Sequence, residues 1–380
     1  MRHTDTPSRS RGARVAALLC AALLAACNPS TPAPPPPAEP EVAAVPVRRP
    51  GVVLVDPERR TAELRANRDL AWLCGARPNW SVEFGDPVVT VRPSSDNGIE
   101  PFTLAAMTAA ANHIARPQNR PLLIDRLLGW ASAGALTEHG GDATNAVYTA
   151  ARAALPLIAS YAAVRGAPGV TDAERAAIDA WLGRVVGRLA IATGPIASRN
   201  NHRLLRDSAH MAYGALTGDA GEFGVGMAGY RRGLREARPD GGLPLELGRG
   251  NRALFYQRHA IASLVAMAEM AAAQGHDLYG VAENGVDLHD IVAFLLDGLD
   301  EAAGRVPAGQ ARTGLGRQDL SFLERRPTGR HYMAWAEAYV ARFPDHPNGR
   351  RLRSLLAAGA QRPLTDDYLG GNASCLFARS

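Results

Sequence analysis

Leu254-Phe255-Tyr256-Gln257-Arg258-His259-Ala260-Ile261-Ala262-Ser263-Leu264-Val265-Ala266-Met267-Ala268-Glu269-Met270-Ala271-Ala272-Ala273-Gln274 is the stretch that decides the fold. Its apolar residues recur at three- and four-residue spacing, the period of a helix face, and Gly275 punctuates its end. Outward from it, between Phe102 and Ala360, alanine- and leucine-rich segments follow one another, broken by glycine and proline. Candidate helices cover 101–115, 122–133, 144–163, 171–192, 201–217, 223–236, 254–274, 287–303 and 332–343. Thr171-Asp172-Ala173-Glu174, after Gly166-Ala167-Pro168, reads as a capping box. Strict alternation of period two is hard to find, so the class is all-α. The short connections suggest helical hairpins laid side by side. Residues 51–100 are less regular. The run Val88-Val89-Thr90-Val91 reads as a short extended segment, with a loop through Ser94-Ser95-Asp96-Asn97-Gly98 after it.

The N-terminus has a different texture. Arg2, Arg9, Arg11 and Arg14 precede an apolar run from Val15 to Ala26, ending Leu24-Ala25-Ala26-Cys27. This is the pattern of a secretory signal, residues 1–26, with small residues before a cysteine as in a bacterial lipobox. Cys27 is the expected lipidation site. Asn28 lacks the Asp that retains lipoproteins at the inner membrane, so the expected place is the periplasm, on an outer-membrane anchor or at the cell surface. Residues 27–50, rich in proline and alanine, read as an extended tether. Residues 51–380 form the folded domain, and no second linker divides them.

The formal net charge of +5 shrinks once residues 1–26 are removed, because four Arg and one Asp go with them and +2 remains. Global charge then says little about a partner. The chain has no lysine: its 42 basic side chains are all arginine, whose rigid fork suits carboxylates. Of four cysteines, Cys20 leaves with the signal and Cys27 carries lipid, which leaves Cys74 and Cys375 as a candidate disulfide in an oxidising compartment. No spacing of Cys and His suggests a metal site. No motif points to nucleic acid.

Two segments carry the chemistry. Asn200-Asn201-His202 is followed by Asp240-Gly241-Gly242-Leu243-Pro244-Leu245-Glu246-Leu247-Gly248-Arg249-Gly250-Asn251-Arg252-Ala253-Leu254-Phe255-Tyr256. An amide, an imidazole, a guanidinium and a phenol are what a site needs to hold a carboxylate and take a proton from the carbon beside it. Arginine and amide donors neutralise the carboxylate without titrating near neutrality. Each residue also has a plainer reading. Asn200 and Asn201 at a helix start suit an N-cap, His202 and Tyr256 suit a core, and Arg249 and Arg252 suit a solvated face. Arg249 and Tyr256, seven apart, converge if helix runs through both or if Arg249 projects from a loop before it; Glu246 is placed to orient Arg249 or Arg252.

Together, in this order and at this separation, the two segments resemble the alginate lyases of polysaccharide lyase family 5, the mannuronate-preferring group. The resemblance implies an incomplete (α/α) toroid with an open cleft, and β-elimination on a 1,4-linked polyuronate without cofactor or metal. It implies a catalytic quartet of Asn201, His202, Arg249 and Tyr256, with Tyr256 as acid and, on mannuronan, also as base, and His202 as the alternative base. Asn200, Arg206, Arg252, Trp335 and Arg92 are the candidate substrate-binding residues. Arg206 lies on the His202 face, together with His210. Trp335 belongs to a tail segment, Tyr332 to Asp345, that again resembles the family, and it reads as a stacking platform or equally well as core. The implied partners are an anionic polysaccharide and, through the lipid anchor alone, a membrane; the implied state is a monomer.

The chain departs from the family in two places. Arg203-Leu204-Leu205 stands where a short residue and Tyr-Trp follow the histidine, and Arg92-Pro93 stands where the family's mobile lid carries a lysine and an aromatic residue. The missing lid aromatic favours a rival reading, a catalytically weak or inactive lipoprotein that holds an anionic polysaccharide. A glycoside hydrolase would need two carboxylates flanking the bond, and no such pair accompanies the His or Tyr motif.

Overall fold

The computed structural model describes residues 42–75, 84–93, 98–190, 197, 199–307, 309–359 and 362–379. The expected signal segment, Cys27 and residues 94–97 of the expected loop lie outside these residues. In chain order the helices are α1 (Pro57–Ala66), α2 (Arg68–Ala71), α3 (Ile99–Ala115), α4 (Leu122–Ala133), α5 (Ala143–Val164), α6 (Asp172–Leu189) and α7 (Asn201–Thr217). They continue with α8 (Ala220–Glu236), α9 (Pro244–Leu247), α10 (Ala253–Ala273), α11 (Leu288–Ala302), α12 (Trp335–Arg342), α13 (Pro347–Gly359) and α14 (Ala373–Phe377). Among the described residues four two-residue strands make two small ladders: β1 (Thr90–Val91) runs parallel to β2 (Glu138–His139), and β3 (Thr365–Asp366) antiparallel to β4 (Gly371–Asn372).

Alternate helices form an inner layer: α3 packs on α5, α5 on α7, α7 on α10 and α10 on α12. Between them α4, α6, α8, α11 and α13 form an outer one, with α4 on α6 and α11 on α13. This is the incomplete (α/α) toroid. The sequence explains the division. Inner helix α10 is apolar nearly all round and is buried from Leu254 to Ala271 save for Tyr256. Outer helix α6 buries only Ile178, Trp181, Leu182, Val185, Val186 and Leu189, a single stripe, and leaves its charges in water. Helix α5 has the length and composition of a membrane span, yet it is a core helix, mostly buried inside the toroid. Helices α7 and α8 approach closely through glycine: a Cβ at Gly229 would collide with the Asp207 side chain, and one at Gly226 with Met211.

Helices α4 and α7 have the expected limits, and α6 opens with the expected capping box at Thr171. The span expected at 332–343 shortens to α12, because residues 331–334 form turns before the helix begins. Helices α1 and α13 were not expected. The signal for α1 is in the sequence: Asp56 caps the Glu58 and Arg59 N–H groups, and Pro57 occupies the first turn.

The expected boundary at Gly51 moves toward the N-terminus, because residues 42–50 are part of the folded unit. The Val45 N–H donates to the Ala220 carbonyl at 2.9 Å, and the Arg49 N–H to Gln274 Oε1 at 2.7 Å. Gly224 has no side chain to displace the Ala43 carbonyl that rests on it. Composition suggested a solvated tether, but the half-buried Val45 and Val47 supply the apolar contacts that seat this strap on the core.

Cys74 and Cys375 are joined in a disulfide that spans 301 residues. It sits in a satellite core with Leu64, Ala111 and Ile114. Beside it the buried Arg60 donates to the Cys375 and Ala378 carbonyls at 2.7 and 2.9 Å and to Glu63 at 2.9 Å. The tail from Leu364 to Ala378 is thereby fixed against the inner helices.

Candidate active site

The site grows from the first turn of α7. Asn200 is its N-cap, its side-chain oxygen accepting the His202 N–H at 3.0 Å. The next residue has a free backbone donor at a helix start, and Glu246 supplies the acceptor: the Asn201 N–H donates to Glu246 Oε1 at 2.7 Å. The Asn201 carboxamide, fully buried, pairs through Nδ2 with His259 Nδ1 at 2.7 Å. His202 is half-buried, and its ring lies face to face with Tyr148 of α5, with centroids 4.2 Å apart and planes 18° apart.

The second motif is held against α10 by Gln257, which donates to the Gly241 carbonyl at 2.9 Å and accepts the Leu243 N–H at 3.0 Å. Gly241 adopts φ +86°, and a Cβ there would strike the Asp290 carbonyl, so the Asp240-Gly241 turn requires glycine. The chain then passes through α9 and a 3₁₀ turn (Gly250–Arg252) into α10. Arg249 therefore projects from the loop before the helix, the second of the two ways in which it can meet Tyr256. Its guanidinium lies 4.4 Å from the Tyr256 ring centroid, and that of Arg252 5.2 Å from the same ring. Tyr256 and His259, three residues apart, share one face of α10, and His259 touches Asn201. Through these links α7, the α9–α10 loop and α10 bring Asn201, His202, Arg249 and Tyr256 together.

The electrostatics fit proton chemistry at a carboxylate. Burial, then the charges of Arg249 and Arg206, push the His202 imidazole down to about 4, so it is neutral with a free lone pair at ordinary pH. Burial raises Glu246 to about 7 against the opposing pull of the Asn201 N–H, Arg249 and Arg203. His259 is held well below its ordinary value, first by burial and then by Arg258, and stays neutral.

The remaining candidates have mixed fates. Trp335 is fully buried at the start of α12, so it is a core residue and not a stacking platform on the cleft: no face of its indole is left for a sugar. Asn200 is engaged as a cap. Glu246 spends its hydrogen bond on Asn201, not on Arg249 or Arg252. Arg206 lies one turn after His202 on α7 and acts on its charge. Arg252 is exposed and 3.9 Å from Asp319. Arg92 is exposed, just after β1, beside Gly140. His210 pairs with Glu222 at 2.6 Å. Among the described residues no three of His, Cys, Asp and Glu are grouped to hold a metal ion.

Residues 131–304 match the family model described as alginate lyase. This central segment resembles the alginate lyase family. A polysaccharide lyase of Stenotrophomonas maltophilia (strain K279a) is 38% identical over 205 residues, which are 53% of this chain and 55% of that protein. An alginate lyase of Pseudomonas syringae pv. tomato is 26% identical over 173 residues, 45% of this chain and 43% of that protein. The chain thus spans about half the length of these relatives. Among solved structures, a histidine-to-alanine variant of alginate lyase A1-III complexed with a tetrasaccharide superposes with a TM-score of 0.75 at 22% identity, covering 90% of this chain and 99% of that one. Alginate lyase A1-III from Sphingomonas species A1 gives 0.70 at 23% identity, over 88% and 98%. These two likenesses extend the alginate lyase fold well beyond the matched segment, to nine-tenths of the chain.

The segment that matches the family model holds the whole candidate quartet, but not all that supports it. Sequence reasoning missed Tyr148, His259, Tyr368, Arg152 and Asp367. Tyr148 and Tyr368 meet hydroxyl to hydroxyl at 2.7 Å, and the Tyr368 ring lies 3.8 Å from that of His259. Arg152 donates to Asp367 Oδ2 at 2.9 Å, and Arg330 to the same oxygen at 2.7 Å. Burial works to raise Asp367, but these two arginines hold it below the usual carboxylate range. The only hint in the sequence was Tyr148 and Arg152 at four-residue spacing.

Proposed function

We propose that this protein cleaves a 1,4-linked polyuronate, mannuronate-rich alginate above all, by β-elimination. The observation that carries the reading is the convergence of Asn201, His202, Arg249 and Tyr256 from three separate parts of the fold, with Arg249 on the face of Tyr256 and near enough to His202 to depress its basicity. The resemblance to alginate and polysaccharide lyases supports the same reading.

The proton on C5 is weakly acidic while the C6 carboxylate is ionised. Arg249 and the Asn201 amide neutralise that carboxylate and stabilise the charge that develops as C5 is deprotonated. On mannuronan the C5 proton and the C4 leaving oxygen lie on one face of the sugar, and Tyr256 serves both. The Tyr256 oxygen, on a ring faced by Arg249 and Arg252, takes the proton and returns it to the departing oxygen. Where C5 has the opposite configuration, the neutral His202 takes the proton and Tyr256 delivers one. Electrons from the C5–H bond form the C4–C5 double bond as the C4–O bond breaks, so the product is an unsaturated uronate. Arg206, Arg252 and Arg92 are proposed to line the path of the polyanion.

The reading includes a place in the cell: periplasmic, with lipid on Cys27 and an outer-membrane anchor. The small residues before Cys27 support it, and so does the Cys74–Cys375 disulfide, which suits an oxidising compartment. The enzymatic test is ultraviolet absorbance of the conjugated product on polymannuronate, polyguluronate and glucuronan, with Tyr256→Phe and His202→Ala alongside. A rise on polymannuronate that both substitutions abolish is expected. No rise on any polymer, with binding retained, would sink the lyase reading in favour of a polysaccharide-holding protein.

A further inference from the structure

Tyr368 lies between β3 and β4, far in sequence from every member of the quartet, and is buried. Two chains of contact lead from it to the first turn of α7. Its hydroxyl meets that of Tyr148 at 2.7 Å, and the Tyr148 ring is the surface on which His202 stacks at 4.2 Å. Its ring packs 3.8 Å from that of His259, and His259 Nδ1 pairs with the Asn201 carboxamide at 2.7 Å. We propose that Tyr368 is a positioning residue for both Asn201 and His202, acting through His259 on the first and through Tyr148 on the second.

Tyr368 is itself over-determined, as a positioning residue must be. The Arg152 guanidinium lies 5.6 Å from its ring centroid and is fixed by Asp367, the preceding residue, which also takes Arg330. Cys375, seven residues after Tyr368, is tied to Cys74. Burial keeps both phenols neutral, so one donates to the other and neither brings a charge under the site. The arrangement serves the reaction because Asn201 and His202 stand at a helix end. There the Asn200 cap and Glu246 hold the backbone of these two residues and leave their side-chain torsions to be fixed by packing. Without Tyr368, Tyr148 loses its hydroxyl partner and His259 one wall of its cage, and both catalytic candidates gain room to turn.

The inference rests on the lyase reading, and its test separates the two. Tyr368→Ala, Tyr368→Phe and Leu369→Ala are compared with wild type by kcat and KM on polymannuronate and by NMR titration of the His202 ring. Tyr368→Ala is expected to lower kcat about tenfold to a hundredfold, the scale of a sub-ångström to one-ångström misplacement, with KM within about twofold. Its His202 ring is expected to titrate upward from the wild-type position, toward that of an ordinary imidazole, as burial is lost. Tyr368→Phe keeps the ring against His259 and loses only the hydroxyl pair, so it should fall between. Leu369→Ala should lower stability and leave kcat per folded molecule unchanged. A folded Tyr368→Ala with wild-type kcat and an unmoved His202 titration overturns the inference, as does an equal kcat loss in Leu369→Ala. If Tyr368→Ala does not fold, the same two readings on Tyr368→Phe decide. A wild-type protein silent on every uronan removes the lyase reading, and the His202 titration alone then decides the role of Tyr368.

Discussion

Replacing Glu246 by Gln should remove a specific pH dependence of stability. Glu246 is 2% exposed; its Oε1 accepts the Asn201 N–H at 2.7 Å, and its Oε2 has no hydrogen-bond partner. Burial lifts its pKa from 4.5 to about 7. Between those values the folded protein keeps a proton that the unfolded chain has lost, so the contribution of this group falls as pH rises through the window and stays low above it. At ~1.4 kcal/mol per pKa unit the loss is about 3 kcal/mol, undiscounted because the group is shielded from water. Gln has nearly the same shape, can still accept the Asn201 N–H, and does not titrate. Urea unfolding of both proteins at about pH 4 and about pH 8.5 measures the difference. The Gln variant should gain about 3 kcal/mol relative to wild type between the two conditions. Parallel stabilities across the range would refute the claim that a buried, titrating Glu246 sits behind Asn201.

Replacing Cys74 and Cys375 by Ala should cost about 2–5 kcal/mol of stability, and reductant should reproduce the loss in wild type; denaturant unfolding with and without reductant checks both. Trp335→Ala should cost about 3–5 kcal/mol as a core truncation, while Trp335→Phe leaves KM for polymannuronate within about twofold, since Trp335 does not face the cleft. Because burial and Arg249 push His202 down to about 4, kcat/KM on polyguluronate, where His202 is the proposed base, should hold through pH 6.5 on the acid side and fail only as the imidazole takes its proton well below that; a pH–rate profile on that polymer reads this directly. Binding of a polyuronate near neutral pH should take up protons at Glu246, seen as a buffer-dependent calorimetric heat that Glu246→Gln abolishes.

Much of the fold was legible because helix periodicity is a local signal. The α4 and α7 spans, the Thr171 cap and the Asp240-Gly241 turn follow from residues within a few positions of one another. Closure into a toroid is not local; it came from the resemblance and not from the periodicity. The quartet was legible because its members fall in two short motifs. Its supports were not: Tyr148, His259 and Tyr368 read as ordinary core aromatics until the chain folds and brings residues 220 apart into hydrogen-bond contact. Trp335 erred in the opposite direction, because an aromatic residue in a family-like tail segment reads equally well as a subsite or as core, and only burial decides. The strap at 42–50 was misjudged because proline-rich composition hides a few valines whose contacts lie on helices far along the chain.

Glu246 poses a general difficulty for the proposed polyanion site, since a fixed carboxylate behind the amide proposed to grip the substrate would oppose binding. Its burial resolves this. At a pKa of about 7 the group is near balance in the free protein, with Arg249 and Arg203 pulling toward the anion and desolvation pulling toward the acid. A substrate carboxylate arriving at Arg249 and Asn201 draws on the same arginine, weakens its pull on Glu246 and tips the balance toward the acid. The repulsion disappears on binding, and the Asn201 N–H keeps its acceptor throughout. A surface carboxylate could not behave this way, because water would hold it ionised. The buried position next to the α7 N-terminus therefore lets one side chain anchor the helix start without opposing the ligand that the helix start is proposed to hold.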